Sequence, residues 1–324
     1  MPPSPTTVLV VTSLIDVTAN MVIEVLNHRA VRVARIDPAD LGSALTFHAR
    51  IGAGRDAWDG RMSTPSREVV LGEVGAVYYR RPSPWRSDLA DSQARQFVIT
   101  EARHGLSGLL RTLPRCRYVN HPAATERADF KVAQLEVAAQ VGMKIPKTLV
   151  TNDPEVARKF AQENDPVIYK SFRGVAPGAD GSVSTIWAQR ISSGDLDDSI
   201  SLTAHLFQEE IQKTSDARVT VVGRSVFASR ITTRDQSLDW RRGDWGELVH
   251  DDIDVPDALK TRLLAYLDAF GLTFGCFDFA VEERTSRDSG TWTFIECNPN
   301  GQWGWLPNCD AIANAFADTL LEGW

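Results

Sequence analysis

Apolar residues change their spacing several times along this chain. "TVLVVTS" (residues 7–13) is a continuous apolar run and predicts a buried strand. "VTANMVIEVLNHR" follows with helical spacing, and "AVRVARID" returns to a strand pattern. "GAVYYRRP" (residues 75–82) predicts a third strand, so strand, helix, strand builds a parallel α/β unit at the N-terminus. "LADSQARQFVITEARHGLSGLLRTL" predicts a long amphipathic helix. "YVNHP" (residues 118–122) is extended again, and "AATERADFKVAQLEVAAQVG" predicts one helix that stops at Gly142.

From Ile145 onward the pattern turns β-rich. "PVIYKSF", "FQEEI", "DARVTVVG" and "SVFASRIT" read as strands, and "PDALKTRLLAYLDAFG" as a helix capped by Gly271. "FGCFDFAVEE" and "TWTFIECN" are two strands around a polar turn, and "CDAIANAFADTLL" closes the chain as a helix. These shifts predict a mixed α/β (α+β) protein in three parts, residues 1–119, 120–214 and 215–324.

Composition narrows the function classes. A 43% apolar content with mixed charge suits a folded chain with a large core. A net charge of -7 argues against a nucleic-acid partner. Cys116, Cys276, Cys297 and Cys309 form no paired metal-binding spacing and point to buried thiols in a reducing, cytoplasmic setting. No signal peptide is evident and no run is apolar for long enough to span a bilayer, so no membrane role is expected. The first strand is not followed by GxGxxG, which excludes the dinucleotide fingerprint.

Candidate chemistry sits in the β-rich half. Lys170 lies in the apolar run "VIYKSF", where an ammonium needs an anion or must snorkel to water. "RGVAPGADGS" follows it and could bring backbone N–H groups to a phosphate, or be a plain connection. In "DARVTVV", Asp216 and Arg218 share one strand face, which a surface ion pair would also explain. Asp278 stands between two phenylalanines, and Glu296 and Asn298 share a face of the next strand. If those two strands form a hairpin, three oxygen ligands meet, a set suited to Mg2+.

The order of these elements, Lys131, the Lys170 strand with its Gly-rich loop, "FQEEI", "DAR" and a final Asp…Glu-x-Asn, resembles the ATP-grasp ligases. Together with "YYRRPSPW", "NHP", "LDWR" and "IECNPNGQWGWL" it is similar to the graspetide (microviridin-type) synthetases, ribosomal-peptide maturases. The resemblance implies an ATP-grasp fold behind a pre-ATP-grasp domain, a homodimer, and ATP and Mg2+ as cofactors. It implies an enzyme that activates Asp or Glu side chains of a precursor peptide as acyl phosphates and closes them onto Ser/Thr (ester) or Lys (amide).

Residue by residue, the resemblance implies that Lys131 and Lys170 hold the α- and β-phosphates. Gln208, Glu209, Glu210 and the Ile211 backbone would edge the adenine, with Asp216 on the nucleotide side and the ribose contact unassigned. Asp278, Glu296 and Asn298 would hold Mg2+. Arg241 would steady the transferred phosphate or the acyl phosphate, Arg218 would belong to the catalytic set, and Arg80 and Arg81 would orient the peptide carboxylate, unless they form a structural ion-pair network. "QRISSGDLDDSIS" offers Asp195, Asp197 and Asp198 to a leader helix, or is simply a solvated loop. A small-substrate carboxylate–amine ligase and a non-catalytic nucleotide-binding regulator remain alternatives on the same fold.

Overall fold

The computed structural model describes residues 6–177, 183–233, 238–243, 246, 248–282 and 290–323. The second half of the Gly-rich loop and the turn expected between the last two strands lie outside these residues. The expected N-terminal unit is a four-stranded parallel sheet, ordered Arg32–Ile36, Thr7–Val11, Val74–Tyr79, Arg117–Val119. The strand Thr7–Val11 is buried along its whole length, as its unbroken apolar run requires of a central parallel strand. Helix Val17–His28 covers one face; Asp16 caps its N-terminus by accepting from Ala19 N at 3.2 Å.

The other face is covered by the C-terminal half of helix Ser92–Leu110, through Leu106, Leu109 and Leu110. An antiparallel sheet of Thr46–Gly52, Arg55–Ser63 and Glu68–Val70 joins it there, with Met62 and Val69 in the core. Sequence pattern did not anticipate this sheet: its strands are largely exposed and carry no strong alternation.

A third sheet, antiparallel, runs Gln189–Ile191, Val167–Lys170, His205–Glu209, Thr148–Thr151. Helix Pro154–Glu163 packs Ala157 and Ala161 onto Val167 and Phe207. A fourth sheet runs Val249–Asp252, Ser225–Thr232, Ser215–Val222, Phe274–Glu282, Thr291–Asn298, all antiparallel. Helix Asp257–Phe270, ended by Gly271 at φ 70°, covers one face of it.

Two features depart from the pattern-based expectation. The single helix expected over residues 123–142 is two, Pro122–Ala128 and Lys131–Gln140, broken at extended Phe130. The freed carbonyl of Ala128 is taken up by Gln134 Nε2 at 2.7 Å, so the break leaves no orphan acceptor there. The closing helix Cys309–Leu321 packs into the N-terminal core: Phe316 meets Tyr78 at 4.9 Å and stacks on Trp303 at 5.2 Å. Among the described residues no helix is long and apolar enough to cross a membrane.

Candidate active site

A cleft of about 420 Å³ opens where the third and fourth sheets meet the start of helix Lys131–Gln140. The break before that helix sets Lys131 at its first position. Gln134, buried one turn on, clamps the helix to the last strand: Oε1 accepts from Cys297 N at 3.1 Å, and Nε2 donates to Cys297 O at 2.7 Å. The clamp holds Lys131 beside Glu296, with Nζ to Oε2 at 2.6 Å.

Strands Phe274–Glu282 and Thr291–Asn298 pair with Asp278 directly across from Glu296, and Cys276 across from Asn298. Asp278, Glu296 and Asn298 therefore line one wall, as the alternation along both strands implied. Every carboxylate oxygen of this pair already faces a cation. Arg218 grips Asp278 with two bonds, 2.9 and 2.8 Å. Glu296 takes Lys131 on one oxygen and Arg241 on the other at 3.3 Å. Burial would raise the Glu296 carboxyl, but Lys131 and Arg241 outweigh it and hold it at about 2. Asn298 spends its Oδ1 on Asn300 N at 3.1 Å.

Lys170, half-buried at the end of its strand, also lines the cleft. Desolvation, resisted by Glu296 and aided by Lys131, lowers its ammonium to about 8. Arg241 is held by Asp239 through two 2.8 Å bonds, which keep its guanidinium charged and aimed at Glu296. Arg218 lies over Trp240 at 5.5 Å and Trp305 at 5.8 Å, so two indoles and Asp278 fix it in place. Gln208, Glu209, Ile211 and Asp216 also line the cleft, Asp216 from the strand paired with that of Asp278. Burial raises the Asp216 carboxyl to about 6 despite Lys213 at 2.6 Å.

Other expected site residues stand apart. Glu210 is held by Arg190 through two 2.6 Å bonds at the sheet edge and does not line the cleft. Arg80 is 2% exposed, paired with Asp16 at 2.8 Å and bonded to Gly301 O at 3.2 Å. It braces the loop after Asn298 and does not reach the cleft, which is the ion-pair alternative foreseen for it. Arg81 braces the same loop, Nε to Asn300 O at 3.0 Å, but keeps an exposed guanidinium. Asp195 closes a capping box with Ser192, Asp197 caps Ser199 N at 2.9 Å, and Asp198 meets Arg158 at 3.1 Å, all away from the cleft.

Sequence reasoning passed over Gln134, Asp239, Lys213, Asp129 and Trp187, all of which line the cleft. Asp239 was signalled by "LDWR", where a carboxylate two residues before an arginine can buttress it; Gln134 carried no signal.

The fold finds counterparts among known proteins. Residues 7–126 match the family model of the MvdD pre-ATP grasp domain. The whole chain resembles macrocyclase MdnC bound with precursor peptide MdnA, from Microcystis aeruginosa MRC, at 27% identity over 98% of this chain and 99% of that one, TM-score 0.83. The chain is an ATP-dependent ligase with the ATP-grasp fold, similar over its full length to ATP-grasp peptide maturases. A Chryseobacterium gregarium RiPP-associated ATP-grasp ligase, in complex with ADP and a leader and core peptide, is 26% identical over 97% of this chain and 96% of that one, TM-score 0.87. Macrocyclase MdnB from the same Microcystis strain is 26% identical over 98% and 100% of the two chains, TM-score 0.79. No curated protein sequence matches this ligase.

Proposed function

We propose that this ligase spends ATP to activate an Asp or Glu side chain of a ribosomal precursor peptide and closes it onto a Ser, Thr or Lys side chain of the same peptide. The observation that carries this reading is the cleft itself: Lys131, Lys170 and Arg241 converge on a half-buried Glu296 next to Asp278 and Asn298. MdnC with its precursor, and the Chryseobacterium ligase with ADP and peptide, supply the parallel for substrate and nucleotide.

The physical problem is charge. A carboxylate must approach a polyphosphate, and hydroxyl attack on an unactivated carboxylate would have to expel oxide. Transfer of the γ-phosphoryl group makes an acyl phosphate and ADP; the hydroxyl or amine then displaces inorganic phosphate. Lys131 and Lys170 neutralise phosphate oxygens, while Arg241, braced by Asp239, faces the developing charge. Gln208, Glu209 and Ile211 offer the polar and apolar edge for the base.

Asp278, Glu296 and Asn298 supply only hard oxygen donors on one wall, which fits Mg2+. When bound, Mg2+ would supply Lewis-acid neutralisation of the phosphates. Arriving nucleotide phosphates give Lys131 and Arg241 new anionic partners, which releases the oxygens of Glu296. The expected homodimer and cytoplasmic setting belong to the same reading; all four cysteines are free thiols.

The experiment is Glu296→Gln, assayed with Mg-ATP and a short peptide carrying Thr/Ser- and Asp/Glu-rich repeats. Mass spectrometry should show loss of water from the peptide with the native enzyme and none with the variant, while circular dichroism stays native. Full activity in Glu296→Gln would refute the assignment.

A further inference from the structure

Gln302, in the loop after Asn298, does not line the cleft, yet it joins two parts of the fold. Its side-chain oxygen accepts from Thr18 Oγ1 at 2.8 Å and from Arg80 Nη2. Both donors belong to the N-terminal unit. Thr18 stands in helix Val17–His28, and Arg80 follows strand Val74–Tyr79 and pairs with buried Asp16 at 2.8 Å. A guanidinium has no acceptor, so the amide oxygen of Gln302, not its nitrogen, must face Arg80. Arg80 also holds the preceding residue, donating to Gly301 O at 3.2 Å.

The main chain of the same residue turns to Arg218, whose Nη1 donates to Gln302 O at 3.1 Å. Arg218 spends Nε and Nη2 on Asp278, so Gln302 anchors the one guanidinium nitrogen that Asp278 does not hold. The loop has little room to shift. A Cβ on Gly301 would stand 2.4 Å from Cys276 Cβ, and one on Gly304 would stand 2.8 Å from Thr18 Oγ1. The backbone is therefore pressed against the fourth sheet on one side and the first helix on the other. Trp303, between those glycines, is wholly buried.

We propose that Gln302 is a positioning residue for the metal wall: its side chain hangs on Thr18 and Arg80, its carbonyl fixes Arg218, and Arg218 fixes Asp278. The inference rests on the ligase reading and adds to it that the N-terminal unit sets the geometry of the wall that would hold Mg2+. A side chain without the acceptor leaves the Thr18 hydroxyl and Arg80 Nη2 unmatched at a partly buried position. The loop then shifts and takes its carbonyl away from Arg218. Held by Asp278 alone, the guanidinium swings, and the carboxylate loses its fixed direction.

The test is ADP binding by isothermal titration calorimetry, with saturating Mg2+ and with EDTA. In the native protein Mg2+ should tighten ADP binding. Gln302→Leu should lose roughly ten-fold of that tightening, the scale of a lost contact behind a metal ligand, and keep the metal-free affinity. Gln302→Glu, which still offers an oxygen to both donors, should retain the tightening. Thr18→Val removes one donor with little change of shape; it should give a smaller loss of the same kind and serves alone if Gln302→Leu does not fold. In an Arg218→Lys background Gln302→Leu should cost nothing more, because its effect runs through Arg218. Full tightening in Gln302→Leu and Thr18→Val, an equal loss of ADP affinity with and without metal, or a loss that adds to that of Arg218→Lys overturns the proposal. A native protein that binds no ADP, or binds it regardless of Mg2+, refutes the ligase reading itself, and the positioning role falls with it.

Discussion

Lys131 Nζ sits 2.6 Å from Glu296 Oε2, joining the first residue of a helix to the strand that ends in Asn298. Neither partner is more than about a quarter exposed, so the pair is only partly screened. In the ligand-free cleft the lysine and the carboxylate answer each other; with nucleotide the lysine is needed by phosphate. Lys131→Met should therefore weaken ADP binding by ten-fold or more, since charge-assisted bonds are worth about 1.5–3 kcal/mol. Isothermal titration calorimetry reads this directly, and an unchanged Kd would show that Lys131 serves only Glu296.

Lys170 gives the cleft a pH dependence. Its ammonium, lowered to about 8 by desolvation, is charged below that pH and neutral above it. Phosphate favours the charged form, so above pH 8 binding has to take up a proton. ADP affinity should fall as pH rises from 8 to 9, by up to ten-fold. Lys170→Arg keeps its charge and should flatten the profile. The same shift touches folding with the opposite sense. Between about 8 and the ordinary 10.5 the unfolded chain holds the proton and the native state does not, so this lysine's contribution to stability improves as pH rises through that window.

Arg80 and Arg81 are consecutive in sequence and brace the same loop, one from a buried position and one from an exposed position. Arg80 and its partner Asp16 are both almost wholly buried. Arg80→Met should cost about 3–5 kcal/mol by leaving Asp16 unpaired, and Arg80→Met/Asp16→Asn should recover part of it. Urea unfolding measures both. A loss of activity at native stability in Arg80→Met would instead return Arg80 to the chemistry.

For the leader segment, Asn is the informative replacement. Asp197 is an N-cap, where Asn serves as well as Asp, and Asp195 accepts from Ser192 N and Oγ, bonds an Asn side-chain oxygen can also accept. Changing Asp195, Asp197 and Asp198 to Asn should leave the melting temperature nearly unchanged. If these charges dock a basic leader helix, affinity should fall several-fold and its salt dependence should flatten. Equal leader affinity and equal salt dependence in both proteins would reduce the segment to a solvated loop.

The last two strands were legible because their apolar alternation with single polar interruptions fixes which side chains share a face; Asp278 opposite Glu296 follows from pairing two such strands. Helix Pro154–Glu163 was signalled by "NDP", a cap followed by a first-turn proline, although the pattern reading passed over it. The cations that answer the carboxylates were not legible as partners. Arg218, Lys131 and Arg241 meet Asp278 and Glu296 only through tertiary contacts, up to 165 residues apart in the chain. "YYRRP" could not say which arginine turns inward, since neighbouring residues at a strand end point to opposite sides. Nor could the pattern show that helix Cys309–Leu321 fills the core of the N-terminal sheet, because its apolar stripe fits any facing surface.

The central claim is that ATP is spent, through an acyl phosphate, to close bonds within a peptide. Its most direct test is stoichiometry: nucleotide products and peptide mass followed together in one reaction with native enzyme, Mg-ATP and the precursor. The account predicts about one ADP for each water lost from the peptide once hydrolysis without peptide is subtracted. AMP and pyrophosphate as the products, or ATP turnover indifferent to peptide, would contradict it.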